Sequence, residues 1–322
     1  MDHRRTNVTN PRPLVEGALL AAVAVVLSLI GYYVPIIGPL VVFLWPVPIA
    51  IIQIRHGLRF SLLTVVVAGL LLASLIGPLD AVAIVATFGI VGIGFGIGVG
   101  RKLSAIEILI IGAVAMLAST LVSLGLSFVF MGVKPAQMLE ELRQGIETAT
   151  GIYSRLGMSP EMIEQAKKML TATVELMRVV FPALFVAAAV IQSFINFSVL
   201  RAVLQRLGYS VAELPKFDEW RFPSWFALLF LTGVALVATN QAHHSVLLYN
   251  IGLNLYSFFS LAFMIQGISV GYWWLGKWNL PKGMRIALAV FASFNPTLAQ
   301  LLTWLGVLDV ALNFRRREAT VG

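Results

Sequence analysis

The chain has 322 residues, of which 59% are hydrophobic and 12% charged, with a mean hydropathy of +0.89. A soluble domain carries about 25% charged residues, so the composition excludes one and specifies an all-α polytopic membrane protein. The net charge of +8 lies in short Lys and Arg clusters between apolar blocks, which points to topology and lipid headgroups and away from nucleic acid.

Residues 1–13 form a basic tail with Arg4, Arg5 and Arg12, predicted to be cytoplasmic. The apolar block after it is too long for the core of a signal peptide, so the first helix is expected to stay. Leu14 to Val34 and Ile36 to Ile54 are each long enough to cross a bilayer. Gly17, Ala18, Ala21 and Ala22 give the first block small residues at helical spacing, suited to close approach of another helix. Pro35, Pro39, Pro46 and Pro48 punctuate the second block, which ends in the basic turn Arg55, His56, Gly57, Leu58, Arg59.

Phe60 to Gly77 and Ala81 to Val99 read as a third and a fourth span, returning inside at Arg101 and Lys102. The glycines of the fourth, Gly89 to Gly100, lie within an apolar segment and lack the strand, lysine and hydroxyl of a phosphate loop, so they read as helix-packing positions. Ala105 to Met131 is a fifth span. The polar interval from Lys134 to Lys168 predicts an outer helical hairpin over 132–172, with Ser159 as N-cap and Pro160 at the first helical position. Its second arm is expected to run on into a sixth span ending near Leu204. A mixed-charge linker, 207–222, precedes the membrane helices of 223–314: a seventh span to about Thr239, an eighth from Leu247 to Trp274, and, over Ile286 to Phe314, a C-terminal hairpin of two short helices breaking at Asn295 and Pro296, with a single span as the alternative. Residues 315–322 form a basic cytoplasmic tail.

The opening, with an A-x-x-x-A face at Ala18 and Ala22, a proline-punctuated second segment and a basic glycine turn, resembles the substrate-binding S components of energy-coupling-factor vitamin transporters. Nearly the full length is similar to the YybS-like family of bacterial membrane proteins, including the closing pattern Gly306, Leu308, Asp309, Asn313, Phe314 and Arg315. That similarity implies architecture and not activity. The S-component resemblance implies a six-helix substrate-binding core over 14–206. It also implies docking of helix 1 through Ala18 and Ala22 on a transmembrane coupling partner, with energy from ATPase subunits. The outer hairpin and everything after Arg206 depart from that pattern.

Catalytic and metal-binding signals are weak, and no cofactor is expected. Adjacent His243 and His244 diverge by about 100 degrees on a helix, poor geometry for sharing a metal. Mid-membrane chains of ionisable groups, the mark of an ion relay, are missing from the pattern. Amide pairs at i, i+4 do occur: Gln192 with Asn196, and Asn250 with Asn254. They would hydrogen-bond a small ligand between the aromatic walls of Trp45, Tyr32 and Tyr33, or else bond one helix to another. The expectation is a substrate-binding subunit for small-molecule uptake in the bacterial cytoplasmic membrane, driven by partner subunits. The alternative is an assembly or regulatory membrane protein acting through protein contacts.

Overall fold

Apolar blocks separated by basic turns fold into helices, with no strand among the described residues. The structure is a computed structural model that describes residues 11–130, 135–239, 245–312 and 315. The first block forms α1 (Arg12–Tyr33). Prolines divide the second into α2 (Gly38–Val41), a 3-10 turn (Val42–Leu44) and α3 (Pro46–His56). A proline lies in the first turn of α2 and of α3, where no amide donor is required. Then follow α4 (Leu58–Ile76), α5 (Pro78–Gly100) and α6 (Ala105–Phe130). Gly57 and Gly77, at φ +80 and +98, make the turns before α4 and α5 in backbone conformations that favour glycine.

The polar interval folds into α7 (Pro135–Arg155), and α8 (Pro160–Arg206) follows it. As the sequence predicts, Ser159 caps α8, its hydroxyl accepting the Met162 N–H at 3.4 Å. At 47 residues α8 is about 70 Å long, whereas a bilayer core needs about 30 Å. Val179 to Leu200 carries no charge, so the first part of α8 is an arm and the second a span. After a 3-10 turn (Phe217–Glu219) come α9 (Ser224–Ala238), α10 (Val246–Lys277), α11 (Lys282–Phe294) and α12 (Pro296–Leu312).

Among the described residues, seven segments are long and apolar enough to cross a membrane, α1, α2 with α3, α4, α5, α6, α8 and α10, and the bent pair of α11 and α12 makes an eighth if it counts as one span. The expected seventh span is shorter than predicted: α9 has 15 residues, about 22 Å of helix. The C-terminal break falls where expected, Asn295 Oδ1 accepting the Thr297 and Leu298 N–H groups at 3.1 Å each. The chain bends there by 107° between two short helices, α11 and α12.

The chain divides into two compact units, Met1–Met138 with Ala188–Leu214 and Leu139–Ala187 with Pro215–Gly322. Of the three divisions, one lies within the anticipated linker, one near the start of α7, and one inside α8, which was expected to stay whole within the core. In the first unit α5 is the central helix, and its glycines face three neighbours. A Cβ on Gly92 would meet Ile49 Cβ and the Pro46 carbonyl at 2.7 Å, and one on Gly94 would meet Ala115 Cβ at 3.2 Å. On Gly89 it would meet Val65 Cγ1 at 3.1 Å. These contacts join α5 to α3, α6 and α4, the packing role expected of the glycine run.

In the second unit α10 is central. Gly233 of α9 crosses Gly252 of α10, and Gly267 of α10 crosses Gly306 of α12, each with backbone so near that a Cβ would collide with it. Buried Phe230, Phe259 and Phe263 fill the remaining core.

Candidate functional site

The densest buried chemistry lies in the second unit, around Asp309 on α12. Its side chain is 2% exposed and pairs with Arg315 at 2.7 Å, while Gln266 Nε2 of α10 donates to the same oxygen at 2.6 Å. Arg315 also donates to the carbonyls of Asp218 and Trp220, at 2.5 and 2.6 Å, and to the Ser269 hydroxyl at 3.0 Å. Gln266 Oε1 accepts the Phe222 N–H at 3.1 Å, and Ser269 donates to the Phe217 carbonyl at 2.6 Å. One carboxylate, one guanidinium and two neutral side chains thus fasten the segment from Phe217 to Phe222 onto α10 and α12. A buried carboxylate facing a largely shielded guanidinium whose two terminal nitrogens each donate twice is a structural clamp, and removing either partner strands the other. Asp309 and Arg315 are two residues of the closing pattern, and Gly306, a third, makes the close crossing; Asn313 and Phe314 lie outside the described residues.

A second arrangement surrounds Pro182. Proline removes a helical donor and crowds the preceding turn of α8. Asn254 of α10 enters at that point: its Nδ2 donates to the Val179 carbonyl at 2.8 Å and its Oδ1 accepts the Ala183 N–H at 3.0 Å. Those two groups would pair with each other in an uninterrupted helix. Nδ2 donates also to the Asn250 carbonyl at 2.8 Å, so both amide hydrogens of Asn254 are used.

The first unit has a charged cluster at the start of α1. Glu16 accepts from Arg12 Nε at 2.8 Å and Arg55 Nη1 at 3.2 Å, and lies 3.0 Å from His56 Nε2. Arg55 Nε also donates to the Tyr209 hydroxyl at 2.7 Å. This ties α1, the end of α3 and the chain after α8 at one edge. The sequence reading noted Glu16 without its partners. The available signal was topological: two consecutive spans bring the start of the first and the end of the second to the same side.

Among the residues singled out from sequence, Trp45, Gln192 and Asn196 belong to the first unit, and Asn250 and Asn254 to the second. Trp45 donates to the Leu27 carbonyl at 3.0 Å and lies against Gly31, so it packs on α1. Gln192 is half-buried. Asn196 is buried at 2% exposure, and its Oδ1 has no hydrogen-bond partner among the described residues. Asn250 is half-buried and supplies a backbone acceptor to Asn254. Ala18 and Ala22 are exposed on α1, while Gly17, Ala21, Ala24, Val25 and Ser28 turn inward. The Tyr32 hydroxyl donates to Asp80 at 2.9 Å, joining α1 to the start of α5. His243 and His244 lie outside the described residues.

Several apolar helices long enough to span a bilayer, closed by buried polar ties, define an all-α polytopic membrane protein. More narrowly, the chain belongs to the family described as "Predicted membrane protein (DUF2232)", whose family model matches residues 22–310. It is 24% identical over 307 residues to "Uncharacterized protein YybS" of Bacillus subtilis (strain 168), covering 95% of this chain and 98% of that relative. No solved structure matches it. The YybS-like similarity is therefore shown, and neither name describes a transporter.

Proposed function

We propose that this protein is a non-enzymatic component of the bacterial cytoplasmic membrane that binds other membrane or envelope proteins through the arm made by α7 and the first part of α8. In this reading the N-terminus and the basic turns are cytoplasmic and the arm stands on the opposite side. The supporting observation is the surface of the arm. Leu156 and Met169 are 74% and 75% exposed; Met169 adjoins the ion pair of Glu164 with Lys168, and α7 carries a second pair, Glu140 with Arg143. Large apolar side chains presented among charges suit a helix that docks on a partner. The amides offered as ligand contacts support the same reading in part, since Asn254 is occupied with helix backbone. A photo-crosslinking residue at Leu156 or Met169 in the full-length protein, in its own membrane, should give one discrete protein adduct. Absence of any adduct at both positions would reject the arm as the binding element.

A second reading rests on α1. Its outward small residues, Ala18 and Ala22, leave an open face that supports S-component-like docking on a coupling subunit. The protein would then bind a small molecule for uptake, with ATPase subunits supplying energy. Ala18→Leu with Ala22→Leu would separate that partner while leaving the fold intact; unchanged association would remove helix 1 as the interface.

A further inference from the structure

The turn from α5 to α6 has an uncommon backbone. Lys102 sits at φ +54, the left-handed region that glycine occupies most readily at a helix end. The helix end is already capped by backbone: the N–H groups of Arg101, Lys102 and Leu103 donate to the carbonyls of Ile97, Val99 and Gly98 at 3.0, 2.9 and 3.2 Å. The lysine ammonium is therefore not needed to close α5.

The carboxylates next in sequence to the cleft residues Ile108 and Ala212 have other partners. Glu107 accepts the Ser104 N–H and hydroxyl, at 2.8 and 2.7 Å, in a capping arrangement at the start of α6. Glu213 pairs with Arg201 at 2.7 Å. Lys102 has no ion pair among the described residues, and it is exposed. It lines a cleft of about 250 Å³ whose other walls include the apolar Val99, Leu103, Ile108 and Val211 and the hydroxyl-bearing Ser210. All belong to the first unit. The cleft lies beside the turn that joins two candidate spans, Pro78–Gly100 and Ala105–Phe130, and basic residues in such short turns favour the lipid headgroup region.

We propose that this cleft binds an anionic phospholipid, with its phosphate against the Lys102 ammonium and the Ser210 hydroxyl and its glycerol and upper acyl carbons against the apolar wall. An uncompensated cation beside apolar surface at a bilayer edge matches a ligand that is anionic at one end and apolar at the other. A strained backbone at a residue whose side chain no structural contact requires directs attention to the same position.

The test is native mass spectrometry of the full-length protein titrated with phosphatidylglycerol and with phosphatidylcholine of the same acyl chains, together with its melting temperature. The wild type should retain phosphatidylglycerol about fivefold more tightly, the scale set by one lysine at a membrane surface. Lys102→Gly should abolish that preference while the melting temperature holds or rises, because glycine suits the backbone there. Lys102→Asn, uncharged and tolerant of the same conformation, should behave alike, and Lys102→Arg should keep the preference. A preference that survives both neutral substitutions overturns the proposal, as does a fall in melting temperature shared by both, which would make the lysine structural. Displacement of phosphatidylglycerol by glycerol 3-phosphate at equal concentration would identify a soluble phosphate ester as the ligand and reject the lipid.

Discussion

Each unit is held together internally, and by different means. Around α5 the helices approach through glycine: Gly89, Gly92 and Gly94 admit Val65, Ile49 and Ala115, and the gain is close packing. Around α10 glycine crossings also occur, but polar ties are added to them, Asn254 into α8 and Asp309 with Arg315 and Gln266 against the incoming chain. In hydrocarbon, apolar side chains gain little by leaving lipid for each other, so a helix interface needs either shape or hydrogen bonds. Regular spans solve the problem with shape. The polar solution occurs where the backbone is irregular, at Pro182 and at the segment before α9, because exposed peptide groups there must find partners.

The comparison can be broken most directly at Asp309. Asp309→Leu would leave Arg315, largely shielded from solvent, without its counter-charge and should destabilise the protein by about 3 kcal/mol, with Asp309→Leu plus Arg315→Leu recovering part of the loss. Denaturation of the purified protein in detergent reads both, and additive losses would refute the pairing. Gly92→Leu attacks the shape-based interface and should cost about 1–3 kcal/mol through overpacking against Ile49 and Pro46. A neutral result would mean that α3 and α5 are not in close contact. Asn254→Leu should cost about 1 kcal/mol, and much less in a Pro182→Ala background, where the helix ladder can close unaided. Equal losses in both backgrounds would separate Asn254 from the proline. The smallest effect is expected at Asn196, whose buried oxygen has no partner among the described residues: Asn196→Leu should stay within about 0.5 kcal/mol of wild type. A large loss there would reveal a bond to that amide.

Sequence pattern sufficed where the signal is local. The apolar blocks placed α1, α4, α5, α6 and α10 to within a few residues; Ser159 and Pro160 marked the start of α8, and Asn295 the C-terminal break. The glycine run of α5 could be read as packing because no phosphate-loop chemistry accompanied it. Long-range pairing left no such trace. Asn254 was legible as a polar residue in an apolar helix, but nothing in its surroundings announces Val179 and Ala183, more than seventy positions earlier. Glu16 was visible without Arg55 and His56, and Asp309 without Arg315, Gln266 and Ser269. The division inside α8 was hidden for the same reason, since a continuous helix gives no compositional boundary while its two halves pack in different units.

In the proposed function the arm of α7 and the first part of α8 is the working surface. Native mass spectrometry of the protein gently extracted from its own membrane, comparing wild type with Leu156→Glu plus Met169→Glu, tests it most directly. The account predicts a stoichiometric protein partner on the wild type, lost from the variant while the variant remains folded. A partner retained by the variant, or a stoichiometric metabolite arriving with ATPase and coupling subunits, would contradict it and favour the transporter reading.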